Sequence, residues 1–367
     1  MIEHTTRNEY QPNYVSPPGE TLYELLDDLG MSQAELAKRT GRPKKTINEI
    51  IQGKTAITPE TALQFERVLG APAGFWIRRE QNYREYLARK EDDERLKKHL
   101  DWMKDMPVAE MIAKKWIKKL ADKVEQLKEV LQFFGISSPE QWSPLWEQPT
   151  AFRQSKAFEA NPKAVAAWLR KGQIEAQAID CAPYDSDRFK DYLAKIRELT
   201  IDNPESFIPK LQDLCAQVGV AVVFVPQLKN TRVSGATYWL DQKAVIQLSF
   251  RYKTNDHLWF TFFHEAGHIL RHGKRDVFLE IDNEDSASQK ETEADKFAAE
   301  QLISRDEWNR FMYSITPSRV SKASIRQFAD KINIAPGIVV GRLQHENIIP
   351  YTHCNDLKVT LRWDNFN

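Results

Sequence analysis

The pentapeptide HEAGH at residues 264–268 restricts the possible folds of this chain more than any other part of its sequence. His264 and His268 are four residues apart, so on an α-helix they lie on one face about one turn apart. The preceding residues 258–263 read LWFTFF, which predicts a buried helix. Two such imidazoles can hold one Zn²⁺, with Glu265 as the general base for a metal-bound water. The alternative, a helix with two unligated histidines, would leave polar groups buried at a cost.

A catalytic zinc site takes three protein ligands, so a third ligand is required beside the two histidines. Residues 291–303 read ETEADKFAAEQLI and are predicted to form a helix. Its apolar face carries Ala294, Phe297, Ala298 and Leu302. Glu291 lies on that inward face and is the favoured ligand, whereas Glu293 lies nearer the edge and is the alternative. Asp295 follows Glu291 by four residues and is placed to hydrogen-bond a metal-bound histidine.

His272 also lies close to the motif, but it comes too early to be the third histidine of an H-E-x-x-H-x-x-G-x-x-H site. It is expected to support the end of the helix or a metal ligand instead of binding the metal. No residue is assigned to stabilise an oxyanion, and Tyr238, Tyr252 and His257 are the candidates. The sequence therefore predicts a zinc site made of two histidines and one glutamate.

The composition limits the compartment and the kind of partner. The 52 basic and 52 acidic side chains cancel, so any DNA-binding surface must be local. The three cysteines, Cys181, Cys215 and Cys354, are far apart, which favours reduced thiols in the cytosol over a disulfide framework. No apolar run approaches the length of a membrane span, and the first residues are polar. A soluble, cytoplasmic protein that does not enter a membrane is expected.

A local excess of positive charge lies near the N-terminus. Residues 38–54 contain six basic residues and one acidic residue, a net charge of +5. Residues 32–53 also have the spacing of a helix-turn-helix, with a capping pattern from Ser32 and a Gly41-Arg-Pro turn between two short helices. The positive charge therefore lies on the element that would meet DNA phosphates, although a helical bundle with a basic face is the alternative.

Within this segment, lysines can contact the DNA backbone and polar side chains can read base edges. The predicted DNA-binding residues are Gln33, Lys44, Lys45, Thr46, Asn48 and Lys54. Because one small module usually reads half of an operator, a homodimer on double-stranded DNA is expected. The helix that carries Trp76 is the candidate dimer interface.

The order of predicted elements indicates an α+β fold that is mostly helical. Four regions are predicted: an all-α helix-turn-helix domain at 1–90, a helical connector at 91–205, a zincin-like α+β metallopeptidase core at 206–310 and a C-terminal helical subdomain at 311–367. Helical spacing extends over 106–134. The predicted strands are 219–226, a hairpin of 234–240 and 243–250 about Asp241-Gln242, and 358–363. Strand 234–240 is the candidate edge strand for pairing with a peptide substrate.

Two families resemble parts of this chain. Residues 18–86 resemble the HigA-type antitoxins of the Xre repressor class. That resemblance rests on PGE from Pro18, LGMSQAELA from Leu29, TINEIIQGK from Thr46, ITPETAL from Ile57 and Phe75-Trp. Residues 164–363 look like the ImmA/IrrE-type metallo-endopeptidases. This second resemblance rests on WLRKG from Trp168, GVAVVFVP from Gly219, RVSGAT from Arg232, HEAGH, the Glu291 helix and GIVVGRLQ from Gly337.

The second resemblance implies a gluzincin-like site, with His264 and His268 as ligands, Glu265 as base and Glu291 as third ligand. It also implies that relatives cleave or inactivate Xre-type repressors under stress. The chain departs from relatives after Phe297, where it reads FAAEQLIS and relatives often read FAAxLLMP, so the end of this helix is expected to differ.

Two functions agree with these patterns. The first is a DNA-binding regulator with a zinc endopeptidase that cleaves a repressor, a toxin or its own chain. The second is a non-catalytic antitoxin and autorepressor whose peptidase-like domain binds a toxin or senses a signal.

Overall fold

The fold is α+β and mostly helical, as predicted, and the computed structural model resolves it into two compact units, Met1–Asp101 and Trp102–Asn367. The structure describes residues 15–147, 161–273, 278–281, 289–315 and 320–363. Among these residues, no helix combines the length and the apolar character that crossing a membrane requires.

The described part of the N-terminal unit, from residue 15 onward, contains five α-helices. They are α1 (Pro18–Asp28), α2 (Gln33–Thr40), α3 (Lys44–Ile51), α4 (Pro59–Leu69) and α5 (Ala73–Lys97). The hydroxyl of Ser32 caps α2 by accepting a hydrogen bond from the N–H of Glu35 at 3.1 Å. Gly41 follows α2 in the left-handed region, with φ of 70°, which lets the chain turn sharply into α3.

Close packing of α1 on α3 depends on Gly19. A Cβ atom at Gly19 would lie 2.3 Å from the carbonyl oxygen of Ile51, so no larger residue fits without moving the helices. Leu22, Ile47 and Trp76 are fully buried in the core of this unit. The Trp76 ring therefore packs inside its own domain, and the dimer interface expected of its helix stays a prediction.

Helix α5 is longer than expected. Its pattern predicts an end near Leu87, but the helix continues to Lys97 and so crosses the predicted domain boundary at residue 90. Apart from the buried Leu96, the added turns are polar, and this part of the helix carries ion pairs three or four residues apart, such as Glu85–Arg89 and Glu94–Lys97. Such pairs stabilise an exposed helix without an apolar face, which is why hydrophobic spacing did not reveal it.

The second unit contains the sheet and the remaining helices. Its helices are α6 (Val108–Ala113), α7 (Lys123–Phe134), α8 (Pro162–Gln177), α9 (Ser186–Glu198), α10 (Pro204–Ala216), α11 (Asn255–Arg271), α12 (Gln289–Leu302), α13 (Arg305–Ser314), α14 (Lys322–Lys331) and α15 (Pro336–His345). Its strands are β1 (Val220–Phe224), β2 (Val233–Leu240), β3 (Lys243–Leu248) and β4 (Phe278–Ile281).

The helical spacing over 106–134 is interrupted. Lys115 has φ of 59°, which ends α6, and the Asp122 carboxylate caps α7 by accepting hydrogen bonds from the N–H groups of Val124 and Glu125. A left-handed residue and a new N-cap are local events that a repeating apolar pattern does not record.

The four strands are ordered β1-β3-β2-β4. Strand β1 is parallel to β3, and the other two pairs are antiparallel. The predicted hairpin is confirmed: Leu240 pairs with Lys243, and Asp241 has φ of 55° in the turn.

Two strand predictions are wrong. Strand β2 is not an edge strand, because it pairs with β3 on one side and with β4 on the other. Strand β4 is only four residues long, too short for its alternation to be recognised. The segment 358–363 forms a single bridge, Thr254 to Thr360, and not a strand, because its neighbour is the start of α11 and not the sheet.

The sheet is covered on both faces. On one face Val222 and Ile246 pack with Trp259 and Phe262 of α11. On the other face Trp168 of α8 packs with the alternate residues of the strands and donates a hydrogen bond to the carbonyl of Val225 at 2.9 Å. The fold around the sheet therefore includes α8, which the sequence assigns to the connector region.

The C-terminal segment holds the first turn of α11. Lys358 Nζ lies 2.6 Å from Asp256 Oδ2, and both side chains are buried. The N–H of Asn255 donates to the carbonyl of Val359, and the N–H of Val359 donates to the side-chain oxygen of Asn255. Gly341 makes room for this arrangement, because a Cβ there would lie 2.7 Å from Asp256.

Candidate metal centre and helix-turn-helix surface

The motif residues lie in the middle of α11. His264, Glu265 and His268 are all almost completely buried. The Nε2 atoms of His264 and His268 are 3.0 Å apart, and Glu291 Oε2 of α12 lies 3.1 Å from the first and 3.3 Å from the second. Among the described residues, this is the group of histidine and carboxylate side chains whose ligand atoms converge closely enough to hold a metal ion.

These distances fit a tetrahedral zinc ion. Ligand atoms about 2.0–2.1 Å from such an ion are separated from one another by about 3.3 Å. The three separations between His264, His268 and Glu291 are 3.0–3.3 Å. Two imidazole nitrogens and one carboxylate oxygen also form a donor set that zinc accepts while one position stays open.

The protonation of His268 and Glu291 suits a cation. Burial lowers the pKa of His268 to about 4, so its imidazole is neutral at pH 7 and has a lone pair for a metal. Burial acts to raise the pKa of Glu291, but hydrogen bonds with His264 and His268 outweigh it and hold that pKa well below its ordinary range. The Glu291 carboxylate is therefore charged near neutral pH.

Two other acids of α12, Asp295 and Glu293, also contact histidines. Asp295 Oδ1 lies 2.8 Å from Nδ1 of His264, the ring nitrogen that faces away from the candidate metal position. Glu293, the alternative third ligand, lies 3.3 Å from Nε2 of His272. Within the described residues, Glu291 is thus the glutamate of this helix whose carboxylate meets both motif histidines.

Close contact between α11 and α12 depends on the glycine of the motif. A Cβ atom at Gly267 would lie 3.0 Å from the Phe297 ring and 3.3 Å from the Cα of Ala294. The small residue lets α12 approach far enough for Glu291 to reach His264 and His268. Gly267 inside HEAGH therefore has a packing role that the spacing of the motif alone does not indicate.

The Glu265 side chain points toward strand β2. A Cβ atom at Gly235 would lie 2.6 Å from Oε1 of Glu265, and the Thr237 hydroxyl donates to the backbone carbonyl of Glu265 at 3.2 Å. The pairing of β2 with β4 is irregular between Val233 and Gly235. Sequence reasoning did not select Gly235, although a glycine inside a strand indicates a close approach of another group.

The three candidate residues for stabilising an oxyanion lie on opposite faces of the sheet. Tyr238 packs on the α8 face of the sheet and donates to Gln247, so it lies on the face opposite to Glu265. Tyr252 and His257 stack with ring centroids 4.3 Å apart. His257 precedes His264 by seven residues on α11, about two turns away, so this pair is on the motif side of the sheet.

The candidate DNA-binding residues belong to the N-terminal unit. Lys44, Lys45 and Asn48 are exposed on α3, and Lys54 is exposed just after it. Gln33, in the first turn of α2, and Thr46, on α3, are half-buried. Arg42 is tied to α4, because it lies 3.4 Å from Glu60 and also donates to Gln64. The structure thus leaves the two lysines at the start of α3 open to a ligand.

Family models match two separate segments of the chain. A helix-turn-helix model matches residues 22–76, and an IrrE N-terminal-like domain model matches residues 215–333. The chain therefore joins an N-terminal helix-turn-helix domain to a C-terminal domain of the IrrE-like peptidase family.

Similar curated proteins match a short part of the chain. The HTH-type transcriptional regulator YddM of Escherichia coli is 33% identical over 60 residues, 16% of this chain and 64% of that protein. Virulence-associated protein I of Dichelobacter nodosus is 37% identical over 67 residues, 18% of this chain and 62% of that protein. The chain thus spans about three fifths of the length of these relatives.

Solved structures of antitoxins are similar to somewhat less than a quarter of the chain. A HigA-family addiction module antidote protein from Coxiella burnetii is 32% identical, with 23% of this chain and 92% of that one covered and a TM-score of 0.22. The antitoxin HigA of Pseudomonas aeruginosa, solved with the higBA promoter, is 25% identical, with 22% and 90% covered and a TM-score of 0.22.

Proposed function

We propose that this chain is a DNA-binding regulator whose C-terminal domain is a zinc-dependent endopeptidase. The observation that carries the proposal is the convergence of His264, His268 and Glu291 within 4.8 Å, next to the buried carboxylate of Glu265. A buried group of two imidazoles and one carboxylate binds a divalent cation well and is expensive to keep without one.

Zinc held by these three residues would polarise the carbonyl of a peptide bond and make water a stronger nucleophile. Glu265 accepts a proton from the attacking water at its carboxylate and passes it to the nitrogen of the leaving amine. Asp295 accepts a hydrogen bond from Nδ1–H of His264, which leaves Nε2 of that ring as the metal ligand. The substrate is a protein: a repressor, a toxin or this chain itself.

The N-terminal unit is proposed to bind operator DNA as a homodimer through the start of α3. Lys44 and Lys45 lie in its first turn, where positive charge and exposed N–H groups together attract phosphate. Thr46 and Asn48 follow on the same helix and can reach base edges. Gln33 and Lys54 complete the proposed contact surface.

The experiment is cleavage of candidate proteins by the zinc-loaded chain. Products of neighbouring genes and the chain itself serve as substrates, with Glu265→Gln as the test variant and Glu300→Gln, an exposed glutamate of α12, as the matched control. Glu265→Gln is expected to keep zinc and DNA binding and to lose cleavage, while Glu300→Gln keeps all three.

Equal cleavage by Glu265→Gln and wild type would contradict the catalytic assignment. A wild-type protein that binds operator DNA but binds no zinc and cleaves none of these proteins would instead be a non-catalytic antitoxin and autorepressor.

A further inference from the structure

We propose that His272 and Glu293 form a hydrogen-bonded chain that positions the metal ligand His268. These hydrogen bonds link His268 to His272 and His272 to Glu293, from the candidate metal centre to the surface. The inference rests on the proposed function, because it concerns how that zinc site is held.

The contacts are continuous. His268 Nδ1 lies 2.9 Å from His272 Nδ1, and His272 Nε2 lies 3.3 Å from Glu293 Oε2. The other oxygen of Glu293 accepts a hydrogen bond from the side-chain amide of Gln289 at 2.9 Å. The His272 side chain is 5% exposed and that of Glu293 is 39% exposed. The series of hydrogen bonds therefore leads from a buried ring to a partly solvated carboxylate.

The direction of each hydrogen bond follows from the two ends of the chain. A metal bound at Nε2 of His268 leaves the proton of that ring on Nδ1, which must donate. Nδ1 of His272 must then accept, so a neutral His272 carries its proton on Nε2. That N–H donates to Glu293, whose carboxylate can only accept. Each of these side-chain N–H groups therefore meets an acceptor. The opposite tautomer of His272 would place its Nδ1–H against the Nδ1–H of His268.

The two motif histidines are thus supported in different ways. His264 meets the Asp295 carboxylate directly, at 2.8 Å. His268 lies one turn further along α11, and its outer nitrogen meets a second imidazole in place of a carboxylate. Glu291, Glu293 and Asp295 of α12 therefore have three separate roles, as ligand, as the end of the chain through His272 and as direct partner of His264.

Removal of the side chain at residue 272 should leave the backbone in place. His272 follows α11 directly, and its N–H donates to the carbonyl of His268 at 3.0 Å whatever side chain it carries. His272→Phe keeps a ring of similar size and removes both side-chain hydrogen bonds. His272→Asn puts an amide oxygen close to the position of Nδ1 and so retains an acceptor for His268.

The first test is zinc affinity, measured by competition with a chromophoric chelator on the full chain. Loss of a group that orients a metal-bound histidine typically weakens binding by about 10- to 100-fold. We expect His272→Phe to fall in that range, His272→Asn to recover part of the loss and Glu293→Gln to show a smaller decrease. Glu300→Gln on the same helix is the control and should bind as wild type.

The second test is the tautomer of His272, read from its ¹⁵N chemical shifts in the zinc-loaded protein. The proposal requires a neutral ring with its proton on Nε2 in wild type. In Glu293→Gln that preference should weaken, because the carboxylate acceptor is gone. If His272 had only a structural role, its tautomer would not change in Glu293→Gln.

The outcomes separate this inference from the function on which it rests. A wild-type chain that binds no zinc overturns both. Zinc binding by wild type with equal affinity in His272→Phe overturns the positioning role and leaves the proposed function intact. A His272 ring protonated on Nδ1 in the loaded protein overturns it as well, even if His272→Phe proves too unstable for titration.

Discussion

The Glu265 carboxylate lies against Gly235 of strand β2, so close that a Cβ atom on this glycine would stand 2.6 Å from Oε1. The same atom would stand 2.6 Å from Cγ2 of Thr261, one turn earlier on α11. The general base of the proposed reaction is therefore held between its own helix and a strand that has no side chain at this point.

Gly235→Ala should displace Glu265 and leave the metal ligands in place. A displacement of about 1 Å at a reacting group can lower a rate by about 100-fold, and the added methyl should cost about 1–3 kcal/mol of folding free energy. Cleavage rate, zinc affinity and urea unfolding measure the three effects. Gly74→Ala is the control, since a Cβ there meets only Arg78 at an ordinary distance of 3.4 Å. Normal cleavage by Gly235→Ala would show that this contact does not position the base.

The paired substitution of Lys44 and Lys45 by Ala should weaken DNA binding to all sequences alike. Each lost phosphate contact lowers the slope of log affinity against log salt by about 0.9, so the pair should reduce it by about 2. The measurement is fluorescence anisotropy with one duplex at several salt concentrations. The double variant Lys90→Ala and Lys98→Ala removes the same charge from exposed positions on and just after α5 and should keep the slope. An unchanged slope in the first variant would mean that α3 does not meet phosphate.

Lys358→Met should destabilise the second unit. Its Nζ lies 2.6 Å from Asp256 in a buried pair, and loss of one partner leaves a buried charge, which costs about 3–5 kcal/mol. Lys322→Met is the matched control: its pair with Asp356 is 2.9 Å long but about half exposed, so water and salt screen it and its loss should cost far less. Chemical unfolding followed by tryptophan fluorescence compares the two. Equal losses would show that the pair at the start of α11 contributes no more than a surface pair.

Zinc-free protein should lose stability as the pH falls from about 6.5 to about 4. Burial lowers the pKa of His268 to about 4 from the usual 6.5, so in this window the unfolded chain binds a proton that the folded chain does not. The stability is fully present above pH 6.5, and up to about 3 kcal/mol is lost on acidification. His268→Gln, which does not titrate, should show a smaller slope in unfolding experiments across this range. Identical slopes would contradict a buried neutral His268.

Much of the fold follows from local patterns. The caps and turns around Ser32 and Gly41 predict the helix-turn-helix, and alternation with a two-residue turn at Asp241 predicts the β2–β3 hairpin. The prediction that β2 lies at the edge of the sheet was wrong, because its second partner, β4, is too short to show an alternating pattern of its own. The predicted end of α5 was wrong because its last turns carry ion pairs and a single buried leucine, Leu96, and so have no repeating apolar pattern.

Part of the candidate site also follows from local patterns in the sequence. His264, Glu265 and His268 lie within two turns of one helix, and helical geometry alone puts the two imidazoles together. The amphipathic pattern of 291–303 also turns Glu291 inward, since residues three and four apart share a face. These relationships act between near neighbours in the chain, so the order of residues is enough to reveal them.

Other relationships join residues that are far apart in the chain. The contact of Gly235 with Glu265, the approach of α12 over Gly267 and the hydrogen bond of His272 with Glu293 all require particular helices and strands to meet in one register. That register is set by close packing of the whole core, in which a methyl group more or less changes how far two elements approach. No local period encodes such distances, and so the contacts of Glu291 with both motif histidines and of Glu293 with His272 were decided only by the tertiary structure.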